Sequence, residues 1–252
     1  MALSVEQWHK RFEEQSRWTA PLRAFLFSQC GIDNSNEILE VGCGTGAVTR
    51  TLHTDSQLHL TGIDLQLDRV HYATAQDSVS RYTCANALEL PFPSGHFDIV
   101  YCHYFFLWLG DRAKDALGEM KRVTRKGGAI VAIAEPDHLA RLDYPAELEE
   151  LGRLQTRSLA RQGACVDMGR KLPGLFAQSG LEDIRFGQSG FQNNVGTLPG
   201  WFGSEWTTYR EDLHEDLTPA DLDQLESIDQ EAWLSGMRVL TIPTFYAIGI
   251  KH

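Results

Sequence analysis

The stretch Ile38-Leu39-Glu40-Val41-Gly42-Cys43-Gly44-Thr45-Gly46 constrains this chain more than any other. Its apolar start reads as a buried strand and its alternate glycines as a tight turn. Ala47-Val48-Thr49-Arg50-Thr51-Leu52 then reads as a helix. A strand, a glycine turn and a helix in series are how an α/β sheet presents bare backbone to a nucleotide-like ligand. Glycine permits the turn and removes the Cβ that would keep the ligand away, and free N–H groups at the helix start point at it.

The rest of the chain repeats the alternation. Strands are expected at 38–41, 58–64, 82–85, 97–103, 129–133, 184–188 and 245–250. Helices are expected at 67–76, 111–124, 148–162 and 171–179. Residues 5–30 read as helical, with Trp8, Phe12 and Gln15 on one face and Pro21 opening a second helix from Leu22 to Cys30; Asp33-Asn34-Ser35-Asn36 reads as a loop. Alternating strands and helices imply a parallel sheet covered on both faces. The expected fold is a Rossmann-like, doubly wound, mostly parallel seven-stranded α/β sheet with helices on both faces and a helical cap. The expected division is an N-terminal helical segment (1–35) over the ligand site, a core (36–188), an aromatic-rich helical cap (189–240) and a last core strand (241–252). The cap interval holds Phe191, Trp201, Phe202, Trp206, Tyr209 and Trp233, and Thr218-Pro219 suits a helix start.

With 252 residues and 42% apolar content a sizeable core is available. The net charge of −11 disfavours nucleic acid as a partner. No apolar run is long enough to span a bilayer, and the first residues lack a signal-peptide pattern. The five cysteines are scattered and form no paired motif, which suggests reduced thiols and a cytoplasmic location. No cluster suggests a resident metal.

Two ligands suit the glycine loop. Gly42-x-Gly44-x-x-Ala47 satisfies the dinucleotide pattern, with Asp64 at 64 − 42 = 22 residues further on, near the usual ~20. Taken alone this allows an NAD-dependent oxidoreductase. Further segments follow in order: Gly62-Ile63-Asp64; Asn86-Ala87 with Leu90-Pro91-Phe92-Pro93; Phe97-Asp98-Ile99-Val100; and Arg122-Val123-Thr124-Arg125-Lys126-Gly127-Gly128. Together with Glu40-Val41-Gly42-Cys43-Gly44-Thr45-Gly46 they resemble the class I S-adenosylmethionine (SAM)-dependent methyltransferases, in particular the small-molecule branch that includes the ubiquinone and menaquinone biosynthesis enzymes. The resemblance covers residues 36–135; outside it only the general layout matches.

The resemblance implies SAM as cofactor and S-adenosylhomocysteine as product. It places Gly42, Cys43 and Gly44 against the amino-acid tail and ribose, and Glu40 near the ammonium. A carboxylate there is favourable for SAM and repels a pyrophosphate. Asp64 is expected on the ribose hydroxyls, Asn86 and Ala87 on the adenine edge, and Leu65 and Leu88 on its faces. Asn86 departs from the family's usual Asp, but its amide oxygen accepts the same hydrogen bond; it also reads as a loop cap. His103, at the carboxyl end of its strand, is expected beside the methyl donor, as a general base or as a cofactor-shell residue. Arg17 and Trp18 are expected to close over the site, and Tyr104, Trp18, Trp201 and Trp206 to meet the acceptor. Glu135, Asp137 and His138 follow the fifth strand and also face that crevice, as a base or, with another carboxylate, as holders of a divalent metal. The expected activity is methyl transfer to an O, N or C atom of a small, hydrophobic or aromatic molecule. A non-catalytic SAM-binding partner or sensor is the alternative reading.

Overall fold

The computed structural model describes residues 3–32, 37–53, 58–190 and 194–252. The expected loop at 33–36, Phe191 and the first two residues lie outside them. The strands are β1 (Glu37–Val41), β2 (His59–Asp64), β3 (Arg81–Cys84), β4 (Phe97–His103), β5 (Thr124–Pro136), β6 (Leu142–Tyr144), β7 (Glu182–Ser189), β8 (Val239–Thr241) and β9 (Thr244–Ile250). The helices are α1 (Val5–Gln29), α2 (Leu67–Gln76), α3 (Ala113–Val123), α4 (Glu149–Arg161), α5 (Met168–Gln178), α6 (Phe202–Leu213) and α7 (Pro219–Leu234).

Seven strands form one sheet in the order β3-β2-β1-β4-β5-β9-β7. β1, β2, β3, β4 and β5 run parallel, and β9 is antiparallel to both β5 and β7. The order turns back at β1 and β4, so their carboxyl ends open the crevice where such sheets bind ligands. Central strands are apolar on both faces: Leu39, Val41, Val100 and Cys102 pack on one side, and Ile38, Ile99, Tyr101 and Val131 on the other.

Four features depart from the sequence reading. Residues 5–29 are a single helix that contains Pro21, opened by a Ser4 capping box. The segment after the glycine loop forms only a 3₁₀ turn, Thr49–Leu52, in place of the expected helix. Three of its members have tertiary partners: Thr49 donates to Glu40, Arg50 pairs with Glu13, and Thr51 accepts from Arg23. β6 and β8, a separate two-stranded ladder, were not expected. Finally, the cap is not confined to 189–240. Leu148, Leu151 and Leu154 of the α4 region share one core with Trp206, Tyr209, Leu213 and Leu222. That core is braced by buried ion pairs linking Asp143 to Arg141 and Arg238 and linking Arg238 to Asp229.

Candidate active site

The glycine loop leaves β1 with Gly42, Gly44 and Gly46 all at positive φ, between +53° and +76°. Space excludes larger residues as well as strain. A Cβ on Gly42 would stand 2.5 Å from the Phe105 ring, and one on Gly46 2.6 Å from the Tyr82 hydroxyl. The loop is pinned from behind: Gly42 and Cys43 N–H both donate to the Ile63 carbonyl at 2.8 Å.

Asp64 ends β2 and is buried, with one oxygen accepting from Gly44 N–H at 2.8 Å and the other from Gln66 N–H at 2.9 Å. Each oxygen keeps a lone pair for a further donor. Leu65 beside it is 67% exposed, as a face for a planar ligand must be. Asn86 is exposed; its Oδ1 accepts from Leu88 N–H at 3.0 Å, so it caps its own turn. Ala87 is buried and Leu88 partly so.

Glu40 lies behind the loop rather than on its surface, accepting from Thr49 and from the Tyr101 hydroxyl at 2.8 Å. Burial pushes its carboxyl up to about 7, against the pull of those bonds and of Arg23. The Cys43 thiol is driven well above its ordinary value by burial and by the charges of Glu40 and Asp64. It is no nucleophile. Asp64 stands against the loop's amides, where a carboxylate suits an ammonium and opposes a pyrophosphate.

α1 lies across this loop, and its buried residues are polar as far as Arg23 (His9, Glu14, Ser16, Thr19 and Arg23) before Leu26 and Phe27 enter the core. His9 Nδ1 meets Thr45 Oγ1 at 2.8 Å, and the Phe12 ring lies over Gly44. Further along, Thr19 Oγ1 meets His103 Nε2 at 2.9 Å and accepts from Arg23 at 2.8 Å. Burial and the Arg23 charge push His103 down to about 3. A ring so weakly basic and already hydrogen-bonded is poorly suited to be the general base. Its position is that of a residue orienting α1 against the donor side. Arg17 has a side chain 70% exposed, 3.7 Å from Glu13, and does not cover the loop.

After β4, Tyr104 takes φ +50°, uncommon for a bulky residue. Glu135, fully buried after an irregularity in β5, holds this turn. Its carboxylate accepts from Phe105, Phe106 and Leu107 N–H at 2.8 to 3.0 Å. Glu135 is thus neither base nor metal ligand here, and Asp137 is ion-paired with Arg170. Among the described residues no cluster of metal-binding side chains is present.

The tryptophans divide. Trp18 of α1 stands edge-on to Trp201 at 5.7 Å, with the Arg11 guanidinium 5.0 Å over its ring. Trp206 is 1% exposed and donates to Asp229 at 2.9 Å, so it belongs to the cap's own core and not to an acceptor surface. Sequence reasoning also missed Phe12, Phe105 and Thr19. Trp8 and Phe12 were noticed only as a helix face, and nothing local marks Phe105.

Burial fixes a testable pH response. Glu40 and Glu135 keep protons up to about 7 in the native state, while in the unfolded chain they lose them near 4.5. They make stability fall as pH rises through that window. His103 and His138 are pushed down to about 3 and about 4 from 6.5, so the unfolded chain binds the extra protons and stability rises with pH. Between 4.5 and 6.5 the pairs oppose one another. Glu40→Gln removes one acid and is expected to make stability climb more steeply from about pH 5 to about pH 6.5. Urea unfolding at both pH values measures this; a slope equal to that of the parent chain would show that Glu40 carries no proton there.

Residues 39–132 match the family described as "Methyltransferase domain". The matched segment runs from β1 into β5 and is similar to a methyltransferase domain. The glycine loop, with Asp64 accepting from Gly44 N–H, lies inside the matched segment. The segment is similar to a malonyl-[acyl-carrier protein] O-methyltransferase of Pectobacterium atrosepticum, 32% identical over 48% of this chain and 46% of that one. It is also similar to a 2-methyl-6-phytyl-1,4-hydroquinone methyltransferase of Synechocystis, 34% identical over 37% and 30%. The chain thus spans less than half the length of these two relatives. Among solved structures, the fold matches a geranyl diphosphate methyltransferase with a TM-score of 0.56 at 14% identity, covering 94% of this chain and 86% of that one. It also matches the [4+2]-cyclase SpnF with 0.59 at 17%, covering 92% and 80%. The methyltransferase-domain fold therefore also serves a protein named for a different reaction.

Proposed function

We propose that this chain transfers a methyl group from S-adenosylmethionine to a small molecule held between the carboxyl ends of β4 and β5 and the cap. The observation that carries the reading is the backbone cradle of Gly42 to Gly46 with Asp64 at its rim, whose two oxygens accept from Gly44 and Gln66 N–H and keep lone pairs for a ligand. Bound SAM supplies an electrophilic methyl on a sulfonium. The protein's part is to hold and align: Asp64 takes the ribose, Gly42 to Gly44 admit the tail, and Asn86, Ala87, Leu65 and Leu88 surround the adenine. Tyr104, fixed by the Glu135-held turn, and Trp18 with Trp201 form the acceptor side. Alignment and exclusion of water of this kind can supply ~7–11 kcal/mol.

Titration calorimetry with SAM and with NAD tests the reading; micromolar binding of SAM and none of NAD is expected, and the reverse would overturn it. A second reading is SAM binding without transfer. Release of S-adenosylhomocysteine with a metabolite panel separates the two. Among the described residues no helix is long and apolar enough to cross a membrane. The five cysteines are unpaired, which supports a reducing compartment such as the cytoplasm.

A further inference from the structure

Where α1, the turn after β4, the turn after β5 and α6 converge, the interior is polar rather than aromatic. Its centre is Glu205 of α6, buried and ion-paired with Arg11 at 2.5 Å. Burial disfavours the Glu205 charge, but Arg11, Arg141 and a hydrogen bond from Gln155 together hold its carboxyl below the usual range. The same carboxylate acts electrostatically on both Tyr104 and His138. Arg11 also acts on Tyr104. One residue along α1, Phe12 covers Gly44 of the cofactor loop. The cluster therefore adjoins the donor site, under the cap.

Two nitrogens of this cluster, Arg11 Nη1 and His138 Nδ1, are fully buried and have no hydrogen-bond partner among the described residues. A third such atom, Trp233 Nε1, lies in the cap, where its ring is edge-on to Trp201. Buried polar atoms left without a partner are rare and costly, most of all on a charged group. The charges around them already balance. Arg11 is matched by Glu205, while Arg141 and Arg238 are matched by Asp143 and Asp229. No surplus cation awaits a carboxylate.

We propose that this cluster is the acceptor subsite and that it takes an uncharged, oxygen-bearing molecule, such as a hydroxylated ring or an enol. One oxygen accepts from Arg11 Nη1 and a second polar edge meets His138 Nδ1. The inference rests on the methyltransferase reading above and narrows its acceptor. Hydrophobic contact alone would leave both nitrogens unsatisfied, and a carboxylate would add a net negative charge beside Glu205.

The test uses the full chain saturated with S-adenosylhomocysteine and three probes of similar size: catechol, benzoate and benzylamine. Ligand-observed NMR and calorimetry read binding. Catechol is expected to bind and the other two not to. His138→Phe removes an unpartnered nitrogen without breaking an ion pair, and is expected to weaken catechol at least tenfold. Arg11→Met paired with Glu205→Gln, which leaves no lone buried charge, is expected to do the same. In both variants S-adenosylhomocysteine affinity should stay within twofold and the melting temperature should hold. Preference for benzoate or benzylamine, binding of no probe, or catechol affinity unchanged in both variants overturns the subsite. Failure of S-adenosylhomocysteine itself to bind overturns the underlying methyltransferase reading instead.

Discussion

Asp64→Ala is expected to weaken SAM binding about a hundredfold or more. Two ribose hydroxyls donating to an ionised carboxylate contribute roughly 1.5 kcal/mol each at the lower bound, and about 1.4 kcal/mol is tenfold in affinity. The same carboxylate also fixes the loop, because it accepts from Gly44 and Gln66 N–H. The alanine variant thus loses both the contact and part of the cradle's shape. Calorimetry gives the affinity, and a thermal melt checks that the fold survives. Asp64→Asn, which keeps one acceptor oxygen, should fall between. Full affinity in a folded Asp64→Ala protein would remove Asp64 from the ribose site.

The second large effect is expected at Glu135, whose role is mechanical. It satisfies the amides of Phe105, Phe106 and Leu107 at once, inside a largely buried turn. Alanine leaves those donors without a partner, at about 1–3 kcal/mol each. Even with water entering, a loss of at least about 3 kcal/mol is expected, or a melting temperature lower by roughly 6–12 °C in a chain of this size. Tyr104, held at positive φ by this turn, should relax toward negative φ, and methyl transfer should fall further than SAM affinity does. Glu135→Gln, with one oxygen remaining, should recover part of both. A melting shift below about 2 °C in the alanine variant would mean that other contacts hold the turn.

The sheet was legible in the sequence because buried parallel strands announce themselves as apolar runs. β2, α2 and β4 fall within a residue of their expected bounds. The cofactor loop was legible because only glycine fits its backbone. What stayed hidden depends on partners far along the chain. α1 buries His9, Glu14, Thr19 and Arg23, residues that hydropathy assigns to water; their partners Thr45, Ser204, His103 and Thr51 lie 28 to 190 positions away. The helix expected after the loop fails where β-branched Val48, Thr49 and Thr51 weaken it and Thr49 and Arg50 are drawn to Glu40 and Glu13. Trp206 reads as a ligand-facing aromatic until Asp229, one helix later, is seen to hold its indole. His103 and His138 exchange importance for the same reason: neither burial nor an unmatched nitrogen has a local signature.

α1 deserves a last consequence. One wall of this helix touches the cofactor loop through His9 and Phe12, and another touches the cap through Arg11, Glu14 and Trp18. A single rigid rod is therefore shared by two compartments. A ligand that seats the rod in one compartment is expected to change affinity in the other, and by linkage any such change is equal in both directions. The protein would then take up its two ligands as linked events, with the helix itself as the coupling element.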